Sequence, residues 1–410
     1  MTDSLYGPVT DWHTDFDHAD PDYNLHAHDI WADLRETCPV AHTDRYNGAW
    51  LPVTHADVTR IAYDTEHFTS RAVIVNTGEI LAQAPIGGAP PISSDPPFHH
   101  DARRLLLPPF APKQIEPWEP DVRAMCNELL DAMEPADGSP IDIVDAAVAY
   151  AQHIPVNVIA RMLGFPVEDA DVFRGFVHDV IEGVNKAPAE RQAMFERLDA
   201  YLDVQITEHR DNPRDDLTTF LMNATIFDQP LSHDHVRGSI VLLLIAGIDT
   251  TWSAIGSGIW HLASNPSDLA RMVAEPDLWP TAIEELLRVY APVTMARMVS
   301  KDHDFNGCPM KVDDWVLLPF PAANLDPEAF DRADEVLLDR VENRHAAFGL
   351  GIHRCLGSNL ARLEVRVALE EFVKRFPVFE LADPAAVRWS VGQIRGPREL
   401  PVRIARRRVD

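Results

Sequence analysis

The stretch Phe348-Gly349-Leu350-Gly351-Ile352-His353-Arg354-Cys355-Leu356-Gly357 constrains this chain more than any other. Two glycines crowd a short loop, allowing backbone turns closed to other residues and a close approach to something flat. From about Leu360 to Phe372 an apolar helical pattern follows, through Leu363, Val367 and Leu369. The Cys355 sulfur therefore stands at or just before a helix N-terminus. There, free amides and the helix dipole favour a thiolate over a thiol. An ionised, half-buried sulfur is what an iron centre requires of an axial ligand. His353 and Arg354 add donors suited to carboxylates at the edge of a ring system. A lone cysteine is ordinarily a small buried apolar side chain. Ten positions carrying a set Phe, Gly, His, Cys and Gly argue against that reading here.

Composition narrows the field further. An apolar content of 46% suits a globular protein with a large core. With 64 acidic and 36 basic residues the formal charge is −28, which disfavours nucleic acid or an anionic membrane as a partner. The charge is uneven: residues 341–410 hold 13 Lys and Arg against 8 Asp and Glu, a net of +5, leaving −33 for the first 340. The four cysteines form no CxxC pair, as expected of reduced thiols in a cytosolic protein. The N-terminus is polar and acidic, without the apolar core of a signal peptide. The longest apolar run, Ile240 to Ala246, falls far short of the ~20 residues that span a bilayer. The expectation is a soluble, cytoplasmic monomer.

Along the chain, residues 1–25 read as an irregular lead-in. A helix over 26–36, strands at 40–43 and 49–53, and a helix over 56–63 follow. Residues 72–97, rich in Gly and Pro, read as a long loop of the functional kind. After the double proline at 96–97, a helix places His99 and Arg103 at i and i+4, on one side. Spacing alone fits a solvated helix face equally well. Helical patterns continue over 117–133, 146–163, 167–183 and 187–212.

Ser232 to Ser264 predicts one helix of ~50 Å at 1.5 Å per residue, stopped by Asn265-Pro266. Its middle is apolar all round and should be buried. Into it the sequence inserts Ala246-Gly247-Ile248-Asp249-Thr250-Thr251. A buried carboxylate is costly unless paired or working. The threonines could simply bond back to the helix and Asp249 cap a neighbour. Gly247 beside an acid and an alcohol favours a flat ligand against the helix, with the polar pair passing protons towards it. Downstream, Glu285 and Arg288 form an i,i+3 pair that by itself means nothing.

Taken together these stretches resemble the cytochrome P450 family in its bacterial form, over about residues 26–405. The resemblance implies a mainly α prism with small β-sheets, forming a single haem domain over residues 1–410. Haem b would lie between the long distal helix and the helix after the Cys loop. By the same resemblance Cys355 is the iron ligand, with Phe348 beside the sulfur and with Gly349 and Gly357 among the cofactor-binding residues. His99, Arg103, Arg297 and His353 bind the propionates. Ala246 and Gly247 face the ring, Thr250 holds dioxygen, and Asp249 relays protons. Glu285, Arg288 and Arg340 brace the loop structurally. Leu242, Ile245, Val293, Met295 and Ile394 line the substrate pocket with Ala246 and Thr250. Asp101 and Leu325 depart from the family pattern, where a small or basic residue and an Arg are usual.

The reaction implied is monooxygenation with O2 as co-substrate, by hydroxylation or oxidative O-dealkylation of a small or medium hydrophobic molecule. Nothing resembles a flavin, nicotinamide or iron–sulfur domain, so electrons come from a separate ferredoxin and its reductase. The basic segment carrying Arg354, Arg362 and Arg366 suits docking of an acidic partner. A peroxide-driven relative would lack the pair Asp249-Thr250, and a haem-based sensor without turnover would leave it unexplained.

Overall fold

A computed structural model describes residues 6–75, 88–135, 141–181 and 188–406. Its axis is the helix His233–Ser264, entered through Ser232, whose hydroxyl accepts the His235 N–H. The Asn265 side chain closes its far end on the His261 carbonyl at 2.9 Å. Ile240, Leu244, Ile248, Ile255, Ile259 and Leu262 are buried around several sides of it, as a sequence without a polar face demands. By length and composition it could cross a bilayer, but most of its apolar stretch lies inside the protein.

Small residues let neighbours approach this helix closely. A Cβ on Gly256 would lie 2.8 Å from Pro397, and one on Gly258 2.7 Å from Leu369 of the helix Ser358–Arg375. That second helix, the continuation of the Cys loop, also packs on Glu119–Met133. Tyr150 ties it to the core by donating to the Ala368 carbonyl at 2.8 Å.

A five-stranded sheet flanks the helices. Its order is Val40–Thr43, Ala49–Pro52, Trp315–Pro319, Thr294–Val299 and Phe68–Thr69. The Ala49 and Trp315 strands run parallel; the other pairs are antiparallel. A smaller antiparallel sheet joins Val378–Leu381, Pro401–Arg406 and Ile143–Asp145. The architecture is mainly helical with small sheets.

Several expected boundaries shift. The helix read over 146–163 is two pieces, a π-type segment Ala147–Ala151 and the α-helix His153–Leu163. Arg297 lies inside the strand Thr294–Val299, and the hairpin His303–Phe305 with Cys308–Met310 went unread. The lead-in is not irregular throughout. Pro21–Leu25 is helical, Phe16 is buried, and Arg45 pairs with Asp15 and Asp17 at 2.8 and 3.1 Å. Those carboxylates, with the Gly7 and Pro8 carbonyls, offset the cost of burying Arg45, so tertiary pairing orders a segment that has no periodicity. Residues 76–87 of the expected pocket loop, and 182–187 between two helices, lie outside the described residues.

Candidate active site

The Cys loop folds as its glycines require. Gly349 and Gly351 both take φ +68, a conformation that costs other residues about 1 kcal/mol or more. A Cβ on Gly351 would also strike the Ala62 carbonyl at 2.3 Å. That close approach is to the helix His55–Tyr63. The Cys355 N–H donates to the Phe348 carbonyl at 2.7 Å, and Gly357 is the cap of the helix beginning at Ser358.

The Cys355 side chain is exposed, yet it lies deep among protein atoms. The surface it exposes is therefore that of an internal cavity. Burial pushes its thiol pKa up, against the Gly357 amide and the cations of Arg103, Arg362 and Arg354. The helix N-terminus alone does not secure the thiolate expected from sequence. A coordinated metal cation reverses that balance.

Around this cavity the cations and imidazoles gather. His99 and Arg103 lie on the helix Phe98–Leu106, and the His99 ring meets that of His353 edge-on at 4.4 Å. Arg103 donates to the Arg354 carbonyl at 2.5 Å. His353 Nε2 meets the Ser70 hydroxyl at 2.9 Å. Burial first, then Arg297, His99 and Arg103, pushes the His353 pKa down to about 2. Burial and Arg103 likewise push His99 down to about 4. Both imidazoles are neutral at pH 7.

His99 is only 1% exposed, and neither of its ring nitrogens has a hydrogen-bond partner. Arg297 is as deeply buried, and its guanidinium bonds only its neighbour's carbonyl, Ala296, at 2.7 Å. Among the described residues it makes no ion pair, and burial lowers its pKa to about 10. Unmet buried donors cost about 1–3 kcal/mol each. A buried cation beside orphaned ring nitrogens calls for a ligand bearing carboxylates. With a cysteine opening on the same interior, the residues fit haem: sulfur for iron, and His99, Arg103, Arg297 and His353 for the propionates.

On the long helix, Ala246 is exposed between half-buried Ile245 and Gly247, in the middle of a helix that is otherwise largely buried, so it too faces the interior space. Gly247 has a protein neighbour of its own on a packed side of the helix. Its missing Cβ points at Ile159, 3.4 Å away, so helix packing accounts for it. Thr250 donates to the Ala246 carbonyl at 2.8 Å, the back-bond that a threonine in a helix commonly makes. Asp249, 3% exposed, pairs with Arg398 at 2.8 and 2.9 Å. Arg398 also reaches the Ser253 hydroxyl at 3.1 Å and lies over the Trp252 ring. Sequence reasoning missed Arg398, because 149 residues separate it from Asp249 and no local pattern marks it.

Leu242, Ile245, Val293 and Met295 are half-buried, while Ile394 is buried and bridges to Val293. Gln393 fastens this wall. Its side chain accepts the Val75 N–H at 2.6 Å and donates to the Val73 and Thr294 carbonyls at 3.2 and 2.8 Å. Behind the Cys loop, Glu285 and Arg288 are wholly buried and paired, and Arg340 joins Glu285 at 3.0 Å. Arg288 also holds the carbonyls of Asn324, Ala333 and Glu335 at 2.7 to 2.8 Å. These groups form one buried network of charges and carbonyls.

The basic face needs correction. Arg362 is held by Glu284 at 2.6 and 2.9 Å and covers the Phe348 ring. Arg366 is held by Glu119 at 2.6 Å and by Glu370. Their charges are answered locally, and only Arg354 of the three is exposed.

A mainly helical scaffold whose cysteine opens onto an interior holding the orphaned His99 imidazole and the deeply buried Arg297 guanidinium fits a haem–thiolate protein. The cytochrome P450 family model matches residues 49–387. The chain belongs to the cytochrome P450 family and is a monooxygenase. It is 33% identical over 380 residues to mycinamicin IV hydroxylase/epoxidase of Micromonospora griseorubida, covering 91% of this chain and 94% of that one. Pentalenic acid synthase of Streptomyces avermitilis is 33% identical over 376 residues, covering 90% of this chain and 92% of that one. Among solved structures, CYP109E1 from Bacillus megaterium in complex with testosterone superposes with a TM-score of 0.85 at 28% identity, covering 94% and 100%. A mutant of P450 EryK in complex with erythromycin B gives 0.83 at 30%, covering 95% and 98%.

Proposed function

We propose that this chain oxygenates a medium-sized hydrophobic molecule, by hydroxylation or oxidative O-dealkylation, with electrons from a separate ferredoxin and its reductase. The observation that carries this is the wall of Leu242, Ile245, Val293 and Met295, half-buried in a buried setting, with Thr250 as its hydroxyl. Relatives described with mycinamicin IV, erythromycin B and testosterone support the substrate class. The protein acts as a cytoplasmic monomer.

Bound haem supplies the activation of dioxygen. Cys355 contributes the thiolate, and the Gly357 amide with Arg103 and Arg354 tempers its charge. His99, Arg103, Arg297 and His353 would hold the carboxylates of the haem group. Thr250 donates its hydroxyl hydrogen bond to the Ala246 carbonyl at rest. Rotation about χ1 turns that hydroxyl into the cavity. Asp249, one residue away, hands on a proton only when it leaves Arg398. The apolar wall keeps bulk water from the reacting face.

Titrating macrolides, steroids and fatty acids while following the haem absorbance identifies what binds. Turnover of the binders with ferredoxin, reductase and nicotinamide is then compared with turnover on peroxide alone. Product from the ferredoxin system supports the reading. Product only from peroxide replaces it with a peroxygenase, and binding without product with a sensor.

A further inference from the structure

We propose that Asp64, His67 and His303 form a binding site for one zinc-class divalent cation, on the sheet edge and separate from the haem site. Asp64 follows the helix His55–Tyr63 as its cap. One carboxylate oxygen accepts the N–H groups of Glu66 and His67 at 3.1 and 3.0 Å, fixing a tight turn. The other oxygen, Oδ2, lies 2.8 Å from His67 Nδ1. The His303 ring stands 4.1 Å from that of His67, tilted by 31°. One donor atom from each of the three side chains falls within 4.8 Å of the others.

These groups are brought together by the elements that carry them, not by bonds between the two imidazoles. The Ser300 N–H donates to the His67 carbonyl at 2.8 Å, and its hydroxyl to the Glu66 carbonyl at 2.7 Å. Phe68 pairs with Val299 in the sheet and packs edge-on against Phe305 at 6.2 Å. The turn bearing His67 and the strand bearing His303 are thereby held side by side. Among the described residues the His303 ring has no hydrogen-bond partner, nor has His67 Nε2. The bond between Asp64 and His67 uses one of the four ring nitrogens and leaves the other three for a ligand.

Two nitrogens and one carboxylate oxygen, with room for water, are the donor set of a borderline cation such as zinc. Calcium and magnesium prefer oxygen throughout. Zinc would sit between Asp64 Oδ2 and His67 Nδ1, widening their spacing by roughly 0.4 Å to suit bonds of about 2 Å. The ring proton of His67 then resides on Nε2, and His303 supplies the third bond. The nearest basic side chain, Lys301, is occupied by Glu66 at 2.5 Å. The formal charge of −28 draws cations to the chain in general.

The test uses the haem-loaded protein, dialysed against a chelator and titrated calorimetrically with zinc chloride. Equilibrium dialysis with metal analysis counts the ions bound. Wild type is expected to take up one zinc per chain more than His67→Ala/His303→Ala. His303→Ala alone should weaken that site at least tenfold, and Asp64→Asn should weaken it as well. Unchanged haem absorbance and melting without zinc show that the variants fold. Should His303→Ala not fold, His303→Gln serves the same purpose. Equal uptake and affinity in wild type and the double variant would overturn the proposal.

Discussion

Thr250 and Asp249 sit one residue apart on the long helix and meet opposite fates. Thr250 keeps its hydroxyl on a carbonyl that it can leave at little cost, since the bond is worth about 1 kcal/mol. Thr250→Ala should therefore keep haem and substrate affinity while peroxide released per product rises; an unchanged ratio would reduce Thr250 to a packing residue. Asp249 is bound far more tightly. Removing one member of a buried ion pair leaves the other charge unanswered, at about 3 kcal/mol or more. Arg398→Ala should lower stability by about that much in chemical denaturation, and Asp249→Asn/Arg398→Ala by clearly less. Equal losses would mean that the pair contributes nothing beyond its separate contacts. The acid–alcohol pair was legible in the sequence because polar residues stand out in an apolar helix. Arg398 was not, since its partner is chosen by the fold.

At the scale of elements, two glycines from the two strongest motifs carry different constraints. Gly351 combines a positive φ with a carbonyl 2.3 Å from where a Cβ would be. Gly351→Ala should cost at least about 2 kcal/mol and lower haem content. Gly247 lies in regular helix with Ile159 at an ordinary 3.4 Å. Gly247→Ala should keep haem content and melt no lower, because alanine gains about 1 kcal/mol in helix propensity. Melting curves and haem absorbance of the two variants check both statements, and a collapse of the second would show that the helix needs its glycine for another reason. The motifs located both glycines correctly. Their reasons were not readable, because Ala62 and Ile159 lie far away in the chain. The same limit hid the hairpin His303–Phe305 with Cys308–Met310, whose strands of three residues are too short for a period to show.

Across the whole molecule, charge is organised by pairing more than by sign. Beside the helix Ser358–Arg375 runs a surface groove of about 330 Å³, lined by Ile115, Ile283 and Leu363 with Glu284, Arg362 and Arg366. Burial acts to raise the Glu284 carboxyl, but hydrogen bonds from His345 and Arg362 outweigh it and hold the pKa near 2, below the usual 4.5. The stabilisation from this pairing is complete above about pH 4.5 and fades as the pH falls towards 2. Glu284→Gln should thus lower stability at neutral pH and flatten its acid decline; parallel curves would refute this. Exposed Arg354 remains to meet an acidic ferredoxin. Arg354→Glu should slow reduction several-fold in stopped flow, and salt should slow the wild type, by screening over ~10 Å. Neither effect appearing would place docking elsewhere. Finally, Gln393 joins three stretches of chain, around residues 73–75, 294 and 393, through one amide. Because every one of those partners is a backbone atom, side chains at 73–75 and 294 can change without breaking the tie, whereas one change at 393 loosens all three stretches together.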